Sequence, residues 1–134
     1  MQVIIGGAFN GKGHYVRTLL ANKEAYYFDG EMPTKGMSKD AYIVIGNFDK
    51  LLAPLQELGE VSAANEIFTQ LCQLDEEAHV ICICTDMSRG IVPLDAKMRF
   101  VRDACGRLYQ LLFQQSAKVT RIWYGLAETL KEEQ

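Results

Sequence analysis

Two hydrophobic rhythms alternate along the chain. The runs Val3-Ile4-Ile5, Ala41-Tyr42-Ile43-Val44-Ile45 and Val80-Ile81-Cys82-Ile83-Cys84 are short and continuously apolar, as strands buried on both faces are. Between them apolar residues recur at helical spacing: Tyr15, Val16, Leu19 and Leu20, ending near Ala21-Asn22; Leu51, Leu52 and Leu55; and Val61, Ala64, Ile67, Phe68, Leu71 and Leu74. The longest such pattern opens at Asp95, places Val101, Cys105, Leu108 and Leu112 on one stripe, and runs to about Gln115. Two further stretches, Ala25 to Asp29 and Lys118 to Gly125, are β-prone, and Leu126 to Glu133 reads as a short terminal helix. Strands that alternate with helices need crossover connections. The pattern therefore predicts a single α/β domain over residues 1–134, with a mostly parallel sheet and helices on both faces.

The connection after the first strand carries the most chemistry. Gly6-Gly7-Ala8-Phe9-Asn10-Gly11-Lys12-Gly13 follows an apolar strand and opens a helix, the context of the phosphate-binding pattern G-x-x-x-x-G-K-[ST]. Glycines let successive N–H groups turn inward to phosphate oxygens, and the helix that follows adds a favourable dipole. Gly6, Gly11 and Lys12 match, while Gly13 stands where a Ser or Thr hydroxyl would hold Mg²⁺. The expected nucleotide-binding residues are Gly6, Gly7, Ala8, Phe9, Asn10, Gly11, Lys12, Gly13 and His14. The alternative is a purely structural glycine turn. A second long connection, Gly30 to Lys39, holds Pro33 and Gly36 without a hydrophobic period and is expected to be the most mobile part of the chain.

Composition narrows the function classes. With 134 residues, 49% of them hydrophobic, the chain can bury one sizeable core. A net charge of -3 and no strongly basic run argue against nucleic acid as a partner. No apolar stretch approaches the roughly 20 residues of a membrane span, and no basic leader precedes the first strand, so a cytoplasmic protein is expected. Cys72, Cys82, Cys84 and Cys105 lack paired zinc spacing, and three of them sit in apolar periodic segments, as small buried hydrophobes do.

Carboxylates near strand ends are the other candidates. Asp49 follows the strand that ends at Ile45 and reads either as a helix N-cap or as a metal ligand. Asp86 lies just past Cys84, where ligands bind in open α/β sheets, so it reads as a catalytic or metal-facing group or as a turn residue. His79 falls at the opposite end of that strand and reads as structural.

Taken together, these segments resemble the adenosylcobinamide kinase / adenosylcobinamide-phosphate guanylyltransferase family of cobalamin biosynthesis. The likeness is carried by Gly6 to Gly13, by Thr85-Asp86-Met87-Ser88-Arg89-Gly90-Ile91-Val92-Pro93, and by the helix Arg99-Phe100-Val101-Arg102-Asp103-Ala104-Cys105-Gly106-Arg107-Leu108-Tyr109-Gln110. Residues 79 to 131 hold the specific part, and the terminal strand ending at Gly125-Leu126 is also similar. The resemblance implies a P-loop NTPase-like three-layer α/β/α fold, binding of ATP or GTP with Mg²⁺, and phosphorylation of a cobinamide hydroxyl. It gives Lys12 and Asp86 catalytic positions, the latter in the place of a glutamate. The expected partners are a nucleotide, a corrinoid and further copies of the chain in a homo-oligomer.

The sequence departs from that pattern in ways that bear on the chemistry. Gly13 removes one Mg²⁺ contact, Asp86 is one methylene shorter than a glutamate, and no acid directly follows the strand ending at Gly46. Asp49 and Asp86 are then the candidate metal ligands. Guanylyl transfer in the family runs through a histidine in the segment after the second strand, and Gly30 to Asp40 contains none. Loss of that step is expected, leaving a kinase-like protein or one that binds without turnover.

Overall fold

A computed structural model of the chain describes residues 1–7, 11–34, 38–86 and 95–133. In chain order the elements are β1 (Gln2–Gly6), α1 (Lys12–Leu19), β2 (Ala25–Asp29), β3 (Tyr42–Gly46), α2 (Phe48–Leu52), a 3-10 segment (Ala53–Leu58), α3 (Glu60–Glu77), β4 (His79–Thr85), α4 (Ala96–Gln115), β5 (Lys118–Trp123) and β6 (Leu126–Glu132). The strands form one sheet in the order β2-β3-β4-β1-β5-β6. Pairing is parallel from β2 through to β5, and β6 returns antiparallel to β5.

Side chains on successive strand residues point to opposite faces, so each buried strand feeds two cores. Val3, Ile43, Ile45, Val80 and Cys82 pack under α2, α3 and α4. Ile4, Val44, Ile81 and Ile122 pack under Val16 and Leu20, at and just beyond the end of α1. Helices therefore cover both faces, as the alternating pattern predicts, but unevenly. The α3 stripe of Ala63, Ala64, Ile67 and Leu71 and the α4 stripe of Val101, Ala104, Cys105, Leu108 and Leu112 are buried. Asp95 caps α4 by accepting from the Met98 N–H at 2.7 Å. At the other end of α4, Lys131 Nζ donates to the Phe113 and Gln114 carbonyls at 3.0 and 2.8 Å. A side chain of β6 thus satisfies acceptors that a helix end leaves open.

Two expectations are corrected. Residues 126–132 form no helix but a strand, paired from Lys118↔Glu132 to Trp123↔Leu126. Leu, Ala, Glu and Lys are good helix formers, but Tyr124 and Gly125 both take positive φ (50° and 80°), which fits the two-residue turns that fold a strand back on its neighbour. Hydrogen bonds to β5 then outweigh local propensity. A register shift between Val119 and Thr120 accommodates one extra residue on β6. Asp49, in turn, is not the N-cap of α2: Asn47 takes that position with φ 60°, and Asp49 lies in the first turn. With its nitrogen toward Asp49, the Asn47 amide donates to that carboxylate, at 3.2 Å to Oδ2.

Candidate functional site

Every parallel strand delivers its carboxyl end to one edge of the sheet. Gly6 closes β1 opposite Thr85 of β4 and Ile122 of β5, and the Asp86 N–H donates to the Gly6 carbonyl at 2.9 Å. A Cβ on Gly6 would lie 2.5 Å from the Ile122 carbonyl oxygen, so only glycine fits there. The chain re-enters at Gly11, whose φ of 89° is left-handed and favours glycine, and α1 starts at the next residue. Ala8, Phe9 and Asn10 lie outside the described residues, as do Gly36 of the second connection and residues 87–94, including Arg89 to Pro93.

Lys12 is the first residue of α1 and only 8% exposed. Its ammonium folds back to donate to the Gly7 carbonyl at 2.6 Å, and no carboxylate among the described residues pairs with it. Burial pushes the Lys12 pKa down, as expected for a cation held away from water, with Cys84 acting more weakly in the opposite direction. Among the described residues that carbonyl is the acceptor shown, and an ammonium has three N–H bonds to give. Gly13 comes next, exposed, with nothing within 4 Å of where a Cβ would stand. His14 projects exposed from the same turn.

Beside Gly13 opens a cleft of about 660 Å³, bounded by α1 and by the ends of β2, β3 and β4. Arg17, Asp29 and Asp49 supply its charges, and Tyr27, Phe28, Phe48 and Tyr109 its rings. The Arg17 guanidinium lies 4.2 Å from the centre of the Tyr27 ring, a cation–π contact that joins α1 to β2. Tyr109 donates its hydroxyl to the Thr85 carbonyl at 3.1 Å and meets Phe48 edge-on at 6.5 Å. Burial pushes the Tyr109 phenol far up, so it stays a neutral donor.

The two candidate metal ligands do not line the same space. Asp49 belongs to this cleft, whereas Asp86 lines a neighbouring cavity of about 250 Å³ with Arg102, Cys105 and Gln110. Tyr109 stands between the two and borders both. No group of three His, Cys, Asp or Glu among the described residues is arranged to hold a metal ion. Mg²⁺ commonly keeps its waters and takes one or two carboxylates plus substrate phosphates. The donor set here, Asp49 with Asp86 beyond Tyr109, fits an ion carried in on phosphates rather than a resident one.

His79 lies exposed at the amino end of β4, stacked on Tyr42 with centroids 4.7 Å apart, at the far edge of the sheet from Gly6. Cys82, Cys84 and Cys105 are buried free thiols whose pKa values burial raises, that of Cys105 to about 12. They behave as the small hydrophobes their positions suggest. Arg17, Tyr27, Asp29 and Tyr109 were not legible as site residues. Asp29 carried the same strand-end signal as Asp86, but the others meet only through the fold.

No family model matches the sequence, and no curated protein matches it with significance. Among solved structures, the Pyrococcus horikoshii OT3 protein of the structural study of Project ID PH0250 superposes with a TM-score of 0.61 at 7% identity, covering 100% of this chain and 87% of that one. At that identity the likeness is one of fold alone, a mixed α/β architecture on a mostly parallel sheet. No helix among the described residues is long and apolar enough to cross a membrane.

Gly6 and Gly13, on either side of the connection, should answer differently to a methyl group. Gly6→Ala forces β1 and β5 apart and should cost about 1–3 kcal/mol, the usual range for overpacking. Gly13→Ala meets no neighbour and should be neutral or stabilising by up to about 1 kcal/mol from helix propensity. Denaturant unfolding of both variants checks this, and equal losses would show that the glycines serve the same purpose.

Proposed function

We propose that the chain binds the phosphates of ATP or GTP around Gly6, Gly7, Gly11, Lys12 and Gly13, in a P-loop NTPase-like manner, and passes the terminal phosphoryl group to a hydroxyl held in the adjacent cleft. The observation that carries this reading is Lys12: a buried ammonium at the start of α1, turned onto the Gly7 carbonyl with no carboxylate partner among the described residues, next to an open cleft with acidic groups. A buried cation is costly unless it is paired, and a phosphate would pair with it in a charge-assisted hydrogen bond. Adenosylcobinamide is the acceptor the family resemblance suggests. A ring as broad as a corrin would project from the mouth of the cleft with its side-chain alcohol inside.

In the proposed reaction the acceptor oxygen attacks the γ-phosphorus, the bond from that phosphorus to the bridging oxygen breaks, and the nucleoside diphosphate leaves. The hydroxyl proton passes to a carboxylate of the cleft, Asp49 or Asp29. Lys12 balances charge on the transferred group, and Arg17 adds a second cation at the cleft wall. Mg²⁺ bound to the nucleotide would neutralise charge on the phosphates, with Asp49 the cleft carboxylate that would face it and Asp86 in the neighbouring cavity. A second reading, binding without turnover, is favoured by Gly13, which offers no hydroxyl to the ion. Guanylyl transfer is not part of the proposal. His79 is at the wrong edge of the sheet, and the backbone of His14 sits in the turn that would cradle phosphate.

Three measurements test the proposal. Lys12→Met keeps the buried stem while removing the charge, and should weaken ATP and GTP binding about 30-fold in calorimetry, equivalent to about 2 kcal/mol. Unchanged affinity, or no binding of either nucleotide to the unmodified protein at millimolar concentration, would count against phosphate binding here. Gly13→Ser adds the absent hydroxyl without a clash and should raise Mg²⁺-dependent, adenosylcobinamide-dependent nucleotide consumption by about 10-fold or more, as metal contacts in phosphoryl transfer do. If the unmodified protein and Gly13→Ser are both inactive while each binds nucleotide, the binding-only reading stands. Incubation with α-labelled GTP and Mg²⁺ should leave no covalent label on a denaturing gel, and a label lost in His14→Ala would restore guanylyl transfer.

A further inference from the structure

We infer that the turn Trp123-Tyr124-Gly125, which joins β5 to β6, is the platform on which the base of the nucleotide stacks. This rests on the phosphate reading above and carries it from the phosphates to the nucleoside. Tyr124 is 80% exposed, a large ring that the fold leaves in water. It is also held at φ 50°, in the left-handed region where Asn or Gly is the ordinary choice for such a turn. A bulky residue in a strained, solvent-facing position is poorly explained by stability and better explained by a ligand.

The turn stands beside the phosphate loop. A Cβ on Gly11 would lie 3.7 Å from the Gly125 Cα, so the turn abuts the cap from which Lys12 begins. The Trp123 ring lies 6.1 Å from that of Tyr124 at a 55° tilt, and the Arg121 guanidinium rests 4.1 Å from the centre of Trp123. The result is an aromatic pair backed by a cation, a combination suited to the flat face of a nucleobase. Sheet order sets the direction of the nucleotide. β5 and β6 lie on one side of β1, and the acidic cleft at the ends of β2, β3 and β4 lies on the other. A nucleotide with its base on Tyr124 and its phosphates at Lys12 would point its terminal phosphate toward Asp49. Stacking reads the π-face that every base has, so this platform accepts ATP and GTP alike.

Trp123 is the chain's sole tryptophan and reports directly on the turn. The test titrates the unmodified protein, Tyr124→Asn and Tyr124→Phe with ATP, GTP and inorganic tripolyphosphate, following Trp123 fluorescence and heats of binding. Asn before Gly suits the turn's backbone, so Tyr124→Asn should keep or raise stability to denaturant. It should weaken both nucleotides on the order of 10-fold, leave tripolyphosphate affinity unchanged, and be rescued by Tyr124→Phe. Unchanged nucleotide affinity in Tyr124→Asn, or an equal loss for tripolyphosphate, overturns the platform while leaving the phosphate site standing. Failure of the unmodified protein to bind either nucleotides or tripolyphosphate overturns both.

Discussion

The carboxyl edge of the sheet depends on how tightly the end of β1 is held between its neighbours. β1 is parallel to both β4 and β5, and at Gly6 the β5 backbone comes so close that no side chain fits. β1 ends at this glycine, and α1 begins at Lys12. Val16 and Leu20, buried against Ile4, Val44, Ile81 and Ile122, fix where that helix lies on the sheet. The placement of Lys12 follows from these contacts. Its ammonium reaches the Gly7 carbonyl because the helix that carries it is anchored on the sheet.

Unequal cover on the two faces creates the cleft. α2, α3 and α4 together close one side, with Phe48, Leu71 and Leu108 fully buried among them. Opposite them, an eight-residue helix faces a six-stranded sheet and reaches only part of it. Tyr27 is left half-covered by Arg17 rather than by an apolar side chain. An aromatic floor with charged walls thus opens directly beside Gly13, where a larger helix would have filled the space.

Much of this architecture was legible in the residues. Strands buried on both faces announce themselves as unbroken apolar runs, and the Gly6, Gly11 and Lys12 spacing marked the strand-to-helix connection before any coordinates. The C-terminal segment was misread because Leu126 to Glu132 has helix-forming side chains and its strand pairing is decided by Tyr124-Gly125, a turn whose first residue is an unusual one for positive φ. Asp49 reads in sequence as a cap or a metal ligand, and the cap falls to Asn47 because a left-handed Asn leaves no clear trace in sequence. The cleft was invisible for another reason: Arg17, Asp29, Asp49 and Tyr109 come from four elements, and no local pattern relates them.

The strand order has a consequence for how the molecule comes into being. β1 is made first, yet its partners are residues 81–85 and 118–122, so its two ladders close only over most of the chain's length. Pairings of such long separation form late, whereas the β5–β6 hairpin is local and can form in microseconds. During synthesis β1 can meet β4 first, and its second ladder, to β5, closes only after residues 118–122 are made. The setting of Gly6 and Lys12 therefore requires β5, and a polypeptide stalled before residue 118 would carry the glycine-lysine spacing without one of the two strands that hold the end of β1.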